Sequence, residues 1–526
     1  MRSLTRAAVW KPVFLLVALS AAVPLVHGYH LGVEDQAIYL PGIEQKIHPN
    51  LFAADAELFL PQTRPTLLVP LVAWSVRTTG MPLDVTVFIW HFLSIFALLF
   101  AAWRLAYRCF ALEEARWCAV ALLAALFTMP VAGTSVFIVD TYLHPRTLAT
   151  ALILFAIVDV LDSEVLGFKK FDRHTARAVL WIGLAATIHI QMAFYGFLLS
   201  LFLGWKSGWK SMTRVGNGKP QSATEAATQS ATMAAAFPLQ SLFQPGSEAW
   251  KEAARTRFQH YLLNWEWYDW LGAIAPLLFF WWFVKLARRS GLEMVDLISQ
   301  RVAAFQVFSI VSALVLTLPP QFERLTPFQP MRALHLATLI FVLLAGGFIG
   351  QFLLRRSAIR WALLFAPLCA TMFYVQRQIF PASEHIEFPG RASRNPSSRN
   401  PCSRNQWVQA FLWAKNNTPE NAYFALDTHY VELPGNDQHG FRAFSQRSMM
   451  ADWNKDGGVV TLFPAIAERW QRETHARANW KNFSSADFQH LHEQFGVGWV
   501  VLEKPMKVAL NCPYENAQVA VCKVAE

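Results

Sequence analysis

The chain has 526 residues, 54% hydrophobic and only 16% charged, against roughly 25% charged in soluble domains. Aromatics at 14% exclude a disordered chain, and six Cys are too few for a disulfide-built secreted scaffold of this length. The formal net charge of +10 would suit nucleic acid in a soluble protein, so its placement along the chain must decide.

Apolar runs of helical length fall near 12–28, 84–103, 117–133, 147–161, 178–205, 270–284, 302–318, 334–353 and 361–379. A bilayer core requires about 20 such residues, so the composition predicts a polytopic α-helical membrane protein of about nine to eleven spans. Lys and Arg in the short loops orient it. Arg2, Arg6 and Lys11 put the N-terminus in the cytoplasm. The turns with Arg104, Arg108 and Arg116, with Lys169, Lys170, Arg173 and Arg177, with Lys285, Arg288 and Arg289, and with Arg355, Arg356 and Arg360 follow it. Loops 29–83, 134–146, 244–268 and 319–332 fall on the outer side. The positive charge thus orients spans, and no nucleic acid is needed to explain it.

No small-x-small site precedes Tyr29 and further spans follow, so the first run reads as an uncleaved anchor rather than a signal peptide. The run 178–205 reads either as one long helix or as two short ones meeting near His189 and Gln191. The second version requires a weak Ala/Ser-rich span near 222–243. Both leave 244–268 outside.

Residues 1–380 form the membrane domain, and "PASEHIEFPGRASRNPSSRNPCSR" at 381–404 is a linker. Residues 405–526 predict a small outer α/β domain. Within it, "NQWVQAFLWAKNNTP" is a helix with a polar stop and "AYFALDTHY" a strand; "SADFQHLHEQFG" then "GWVVLE" repeats that order. Cys512 and Cys522 bracket a terminal hairpin and can pair in an oxidising compartment.

No nucleotide-binding glycine fingerprint, zinc spacing or serine elbow stands in a usable context. The informative groups are polar residues at the outer ends of spans. Glu34 and Asp35 follow the first span, and "RPTLLVPLVAWSVRTTG" beyond them is amphipathic, suited to lying on the membrane. Asp140, His144 and Arg146 cluster in the next outer loop; Glu323, Arg324, Arg332 and His335 occupy a later one. Arg324 and Arg332 run against the positive-inside trend, and Arg matches phosphate oxygens bidentately. Plainer readings exist for each: solvated carboxylates, a Glu323–Arg324 salt bridge, an interhelical His189. The run "YLLNWEWYDWLG" reads as an interfacial belt with Trp265, Trp267 and Trp270. Co-location on one face favours a site.

This layout resembles the GT-C superfamily of integral-membrane glycosyltransferases. "GVEDQAIYLPGI" and "NLFAADAELF" look like its first outer loop, while "DTYLHPRTLATALILFAIVDVL", "LTPFQPMRALHL" and "WAKNNTPENAYF…FRAFSQRS" look like segments of bacterial GT-C-like proteins. The resemblance implies transfer of a sugar from a polyprenyl-phosphate donor to a glycan, lipid or protein acceptor on the outer face of a bacterial inner membrane. Asp35 or Glu34 would be the base, Asp140 the second acidic position, with His144 and Arg146 alongside. Arg332, Arg324 and His335 would face the lipid phosphate. Some relatives hold a divalent metal at the acidic loops, although this sequence offers no compelling ligand set. It also lacks the oligosaccharyltransferase motif, leaving donor and acceptor open. A non-catalytic relative, a lipid-glycan transporter or envelope-assembly component, is the alternative. In the outer domain Arg442, Arg447, Asp452 and Asp456 offer polarity for binding an acceptor, the plainer reading of each being a solvated surface.

Overall fold

The computed structural model describes residues 6–163, 172–204, 245–388, 403–506 and 508–524. Five helices are long and apolar enough to cross a membrane: Arg6–His27, Leu83–Cys109, Trp267–Arg289, Glu293–Thr317 and Ala358–Ile379. The helical run Phe322–Leu354 is a sixth. Their outward Leu278, Trp281, Ile359 and Leu363 are exposed, as a lipid-facing surface requires. Shorter helices Glu113–Ala125, Pro145–Asp162, Arg173–Ile188 and Ile190–Gly204 share one apolar core with the long ones. The protein is therefore a polytopic helical membrane protein.

Two expected runs change shape for local reasons. The run near 117–133 stops at Ala125, ahead of Pro130, which cannot donate a helical hydrogen bond, and beyond it Gly133 lies under the Trp265 ring. Trp265 is thereby buried and leaves the expected belt, whereas Trp267 is exposed. The run 178–205 divides at His189, whose extended backbone separates two short helices. The weak span near 222–243 lies outside the described residues.

Loop 29–83 folds into three helices, Gln36–Ile47, Ala56–Thr63 and Leu68–Thr79. The third buries Leu68, Val69, Val72 and Ala73 and leaves Leu71 and Trp74 exposed, a face suited to the headgroup boundary. At the opposite end of the bundle the basic turns are paired, as in Lys11–Glu113, Arg108–Asp162 and Arg356–Glu114.

The C-terminal unit carries a five-stranded sheet of β1 Tyr423–Ala425, β2 Ser448–Met449, β3 Trp499–Glu503, β4 Asn511–Glu515 and β5 Val519–Lys523. The order is β2-β1-β3-β5-β4, with β1 parallel to β2 and β3, and β5 antiparallel to β3 and β4. Asn405 caps the helix Gln406–Asn417 through Trp407 and Val408 N–H groups. Ser484 and Asp487 form a capping box on Ser485–Phe495, and Gly496 ends that helix in the left-handed region. The expected strand over "AYFALDTHY" is three residues long, since Asp427 turns the chain by accepting the His429 N–H. Cys512 and Cys522 form a disulfide across β4 and β5.

This unit is not an appended module. Tyr29, Leu40, Ile43 and Val72 of the first loop share a core with Trp407, Phe411, Phe424 and Phe441. Phe52 and Phe59 share a second one with Trp250, Val460 and Trp470. Loop 29–83 and residues 403–524 thus form one folded layer on the membrane bundle.

Candidate functional site

The turn that carries the acidic pair is fixed on all sides. Gly32 takes φ +74° with its Cα against the Phe444 ring, where a Cβ would come within 2.6 Å of a ring carbon. Its N–H donates to Gln36 Oε1 at 2.6 Å, and His30 N–H donates to Thr141 O at 3.0 Å, tying this turn to the next outer loop. Glu34 is itself held at φ +49°, and its N–H donates to Gln438 O in the C-terminal unit. A non-glycine residue in that region costs free energy that the surroundings must offset. Asp35 occupies the N-cap position of Gln36–Ile47 yet makes no capping hydrogen bond.

The Asp35 carboxylate instead lies between two other partners. Its Oδ2 is 3.3 Å from His144 Nε2, and its Oδ1 is 3.9 Å from Lys455 Nζ. His144 is the N-cap of Pro145–Asp162, and its Nδ1 accepts the Arg146 N–H at 3.0 Å. The ring proton therefore sits on Nε2, directed to Asp35. Burial opposes ionisation of Asp35, but the His144 hydrogen bond and the charges of Lys455 and Arg332 outweigh it and hold its carboxyl well below the usual range. With 36% of its side chain exposed, Asp35 remains open to a ligand.

The other expected residues take different positions. Asp140 is buried, and both its oxygens accept from Arg146 Nη2, at 2.7 and 2.6 Å. This pair supports His144 from behind. His335 is buried with Nε2 on Ile138 O at 2.8 Å. Arg332 lies within electrostatic reach of Asp35 and Arg146, and its Nε is buried without a hydrogen-bond partner among the described residues. Arg324 makes no salt bridge to Glu323; it lies over the Trp250 ring and donates to Pro245 O. His189 brings its ring to 6.0 Å from His144.

Two cations escaped the sequence reading. Lys455 is buried, bonds Glu34 Oε2, and starts the helix Lys455–Leu462 of the C-terminal unit. Arg257 donates to Asn454 Oδ1 at 3.0 Å and packs on Gly458, which has no side chain to block it. Burial draws the Arg257 pKa down, while Asp35, Asp452 and Glu34 push it back up. Lys455 lies 421 residues from Glu34, and no periodicity in the chain connects them.

The residues expected to bind an acceptor do something else. Arg442 is buried between Asp55, at 2.6 Å, and Asp456, which it grips through two nitrogens at 2.9 Å. Arg447 is buried on the carbonyls of Lys415 and Thr418 at the end of Gln406–Asn417. Asp452 accepts the backbone N–H groups of Lys455 and Asp456. These four groups are occupied in holding the fold, which corrects the expectation of a glycan-binding surface there.

The donor set does not fit a divalent ion. Asp140 is filled by Arg146, Glu34 by Lys455, and Asp35 stands beside His144 and Lys455. Asp159, Asp162 and His174 are close enough together for an ion, but at the other end of the bundle. There Asp159 already accepts from Trp181 and faces Arg177, and Asp162 faces Arg108.

No protein-family model and no curated protein matches the sequence. Among solved structures, the chain is similar to the crystal structure of the Archaeoglobus fulgidus oligosaccharyltransferase in the apo form. The TM-score is 0.39 at 13% identity, covering 94% of this chain and 69% of that one.

Proposed function

We propose that the protein is a membrane glycosyltransferase that moves a sugar from a polyprenyl-phosphate donor to an acceptor hydroxyl. The observation that carries this reading is the Asp35 carboxylate, held ionised and partly exposed, within reach of Arg332 and Arg257, whose Nε groups have no hydrogen-bond partner among the described residues. Arg146 is ion-paired with Asp140 and Lys455 with Glu34, whereas Arg332 and Arg257 make no ion pair among the described residues and can offer charge to an incoming anion. A lipid phosphate suits them, because guanidinium groups match its oxygens.

In the proposed reaction the acceptor oxygen bonds to the anomeric carbon as the bond from that carbon to the phosphate oxygen breaks. The leaving phosphate keeps the electron pair, and Arg332 and Arg257 balance its charge. The acceptor proton passes to Asp35 Oδ1, the oxygen His144 does not engage. His144 itself has no free lone pair, so it orients Asp35 rather than acting as the base. The low pKa of Asp35 means that it binds the hydroxyl as an acceptor first and takes the proton late. The disulfide Cys512–Cys522 supports an oxidising, extracytoplasmic location for this face, in keeping with a bacterial inner-membrane protein whose N-terminus is cytoplasmic.

The test compares cell-envelope glycans by mass spectrometry with wild-type protein, no protein, and Asp35→Asn. Loss of the same glycan in the last two supports transfer, whereas an unchanged glycan with Asp35→Asn overturns the assignment. Movement of a lipid-linked sugar across vesicles without glycosidic transfer would replace it with the transporter reading.

A further inference from the structure

We infer that Lys455 takes the place of a divalent cation at the acidic pair, so the C-terminal unit completes the site and the site works without a bound metal ion. Two neighbouring carboxylates repel unless a cation or a shared proton lies between them, and Mg2+ or Mn2+ can fill the cation's role through oxygen ligands. Here the position between Glu34 and Asp35 belongs to an ammonium group. Its Nζ bonds Glu34 Oε2 and lies 3.9 Å from Asp35 Oδ1, and the side chain is 7% exposed. Burial disfavours the charge on Lys455, and Glu34 and Asp35 more than restore it, raising its pKa.

The backbone holds Lys455 there. Its N–H donates to Asp452 Oδ1 at 2.5 Å, and the adjacent Asp456 is gripped by Arg442, which also grips Asp55 of the first loop. The buried Arg442 cluster thus serves as the mount for a lysine that points into the site.

The inference concerns the ion content of the site and rests on the glycosyl-transfer reading only for its consequence in activity. Its test therefore does not use activity. Purified full-length protein in lipid nanodiscs is titrated with Mn2+ and followed by electron paramagnetic resonance, for wild type, Lys455→Met, and Lys455→Met with Glu34→Gln. The expected result is no saturable Mn2+ site at the acidic pair of wild type. Lys455→Met should gain one site, binding at least tenfold more tightly than any wild-type background, and Glu34→Gln should remove it. A wild-type Mn2+ site that disappears with Asp35→Asn overturns the inference, as does a folded Lys455→Met protein that gains no site. If Lys455→Met does not reach the membrane, the comparison of wild type with Asp35→Asn decides alone. Failure of the glycan test together with this binding pattern would reject the transferase reading and leave the lysine assignment standing.

Discussion

Two charged clusters join the first loop to the C-terminal unit, and they are built from the same residue types. In one, Arg442 lies between Asp55 and Asp456, all three buried, and every guanidinium nitrogen has an acceptor. In the other, Asp35 and Glu34 are partly exposed beside Lys455, Arg332 and Arg257, and the Nε groups of both arginines lack hydrogen-bond partners among the described residues. A closed network fixes geometry, and an open one has capacity left for a ligand. The contrast says that satisfaction of the donors, rather than the presence of charge, separates structure from site.

Breaking each cluster should produce different kinds of loss. Asp35→Asn should leave folding intact and lower transfer by about 10²–10⁴-fold, the usual share of a general base, read as turnover of a labelled lipid-linked donor. Arg442→Met strands two buried carboxylates and should remove about 3–5 kcal/mol of stability, seen as collapse of the folded fraction in a thermal-shift assay. Arg332→Gln should lower transfer by about 10²–10³-fold without moving the melting temperature.

A third junction sharpens the comparison through pH. Glu387 accepts from His30 at 2.9 Å and from His439 at 3.1 Å, all buried. Burial opposes the charge on both Glu387 and His439, but their mutual attraction wins, helped at His439 by Asp437; Glu387 is lowered to about 2 and His439 is raised. The His439 contribution is full below its unfolded pKa of about 6.5 and is lost as pH rises through the raised value. The Glu387 contribution is present above about 4.5 and is lost as pH falls toward 2. Hydrogen-exchange protection of residues 29–36 and 436–440 should therefore weaken toward alkaline pH, and His439→Ala should abolish that dependence.

The smallest effect concerns Glu44. Burial raises its pKa to about 8 despite the Gln446 hydrogen bond and the Lys415 charge. The folded state thus holds a proton the unfolded chain releases, and stability falls as pH rises from about 4.5 to 8. Glu44→Gln should raise the melting temperature by about 2 °C at pH 8 and leave it unchanged near pH 4.

The membrane helices, the two helices of the C-terminal unit over Gln406–Asn417 and Ser485–Phe495, and the paired cysteines were legible because periodicity and composition are local properties. Glu34, Asp35, His144 and Arg146 were legible for a related reason: ionisable residues beside apolar runs stand out against their neighbours. The short strand at Tyr423–Ala425 and the early stop at Ala125 were missed although Asp427 and Pro130 are local signals, because the apolar runs around them were weighed more heavily. Lys455 and Arg257 were hidden because their roles depend on contacts. "ADWNKDGG" contains one lysine among several polar residues, and its meaning arises only where the chain folds back on its beginning.

The core shared between loop 29–83 and the C-terminal unit sets an order of assembly. The acidic pair leaves the ribosome 421 residues before its lysine, and β5, which pairs with both β3 and β4, emerges later still. Helices can insert as they emerge, but the outer layer must wait for the C-terminal unit, because such long-range contacts form late. A chain cut before residue 403 would therefore present Glu34 and Asp35 without their lysine and leave the apolar face of the first loop uncovered. The acidic pair and its lysine come together only when the C-terminal unit folds onto the first loop.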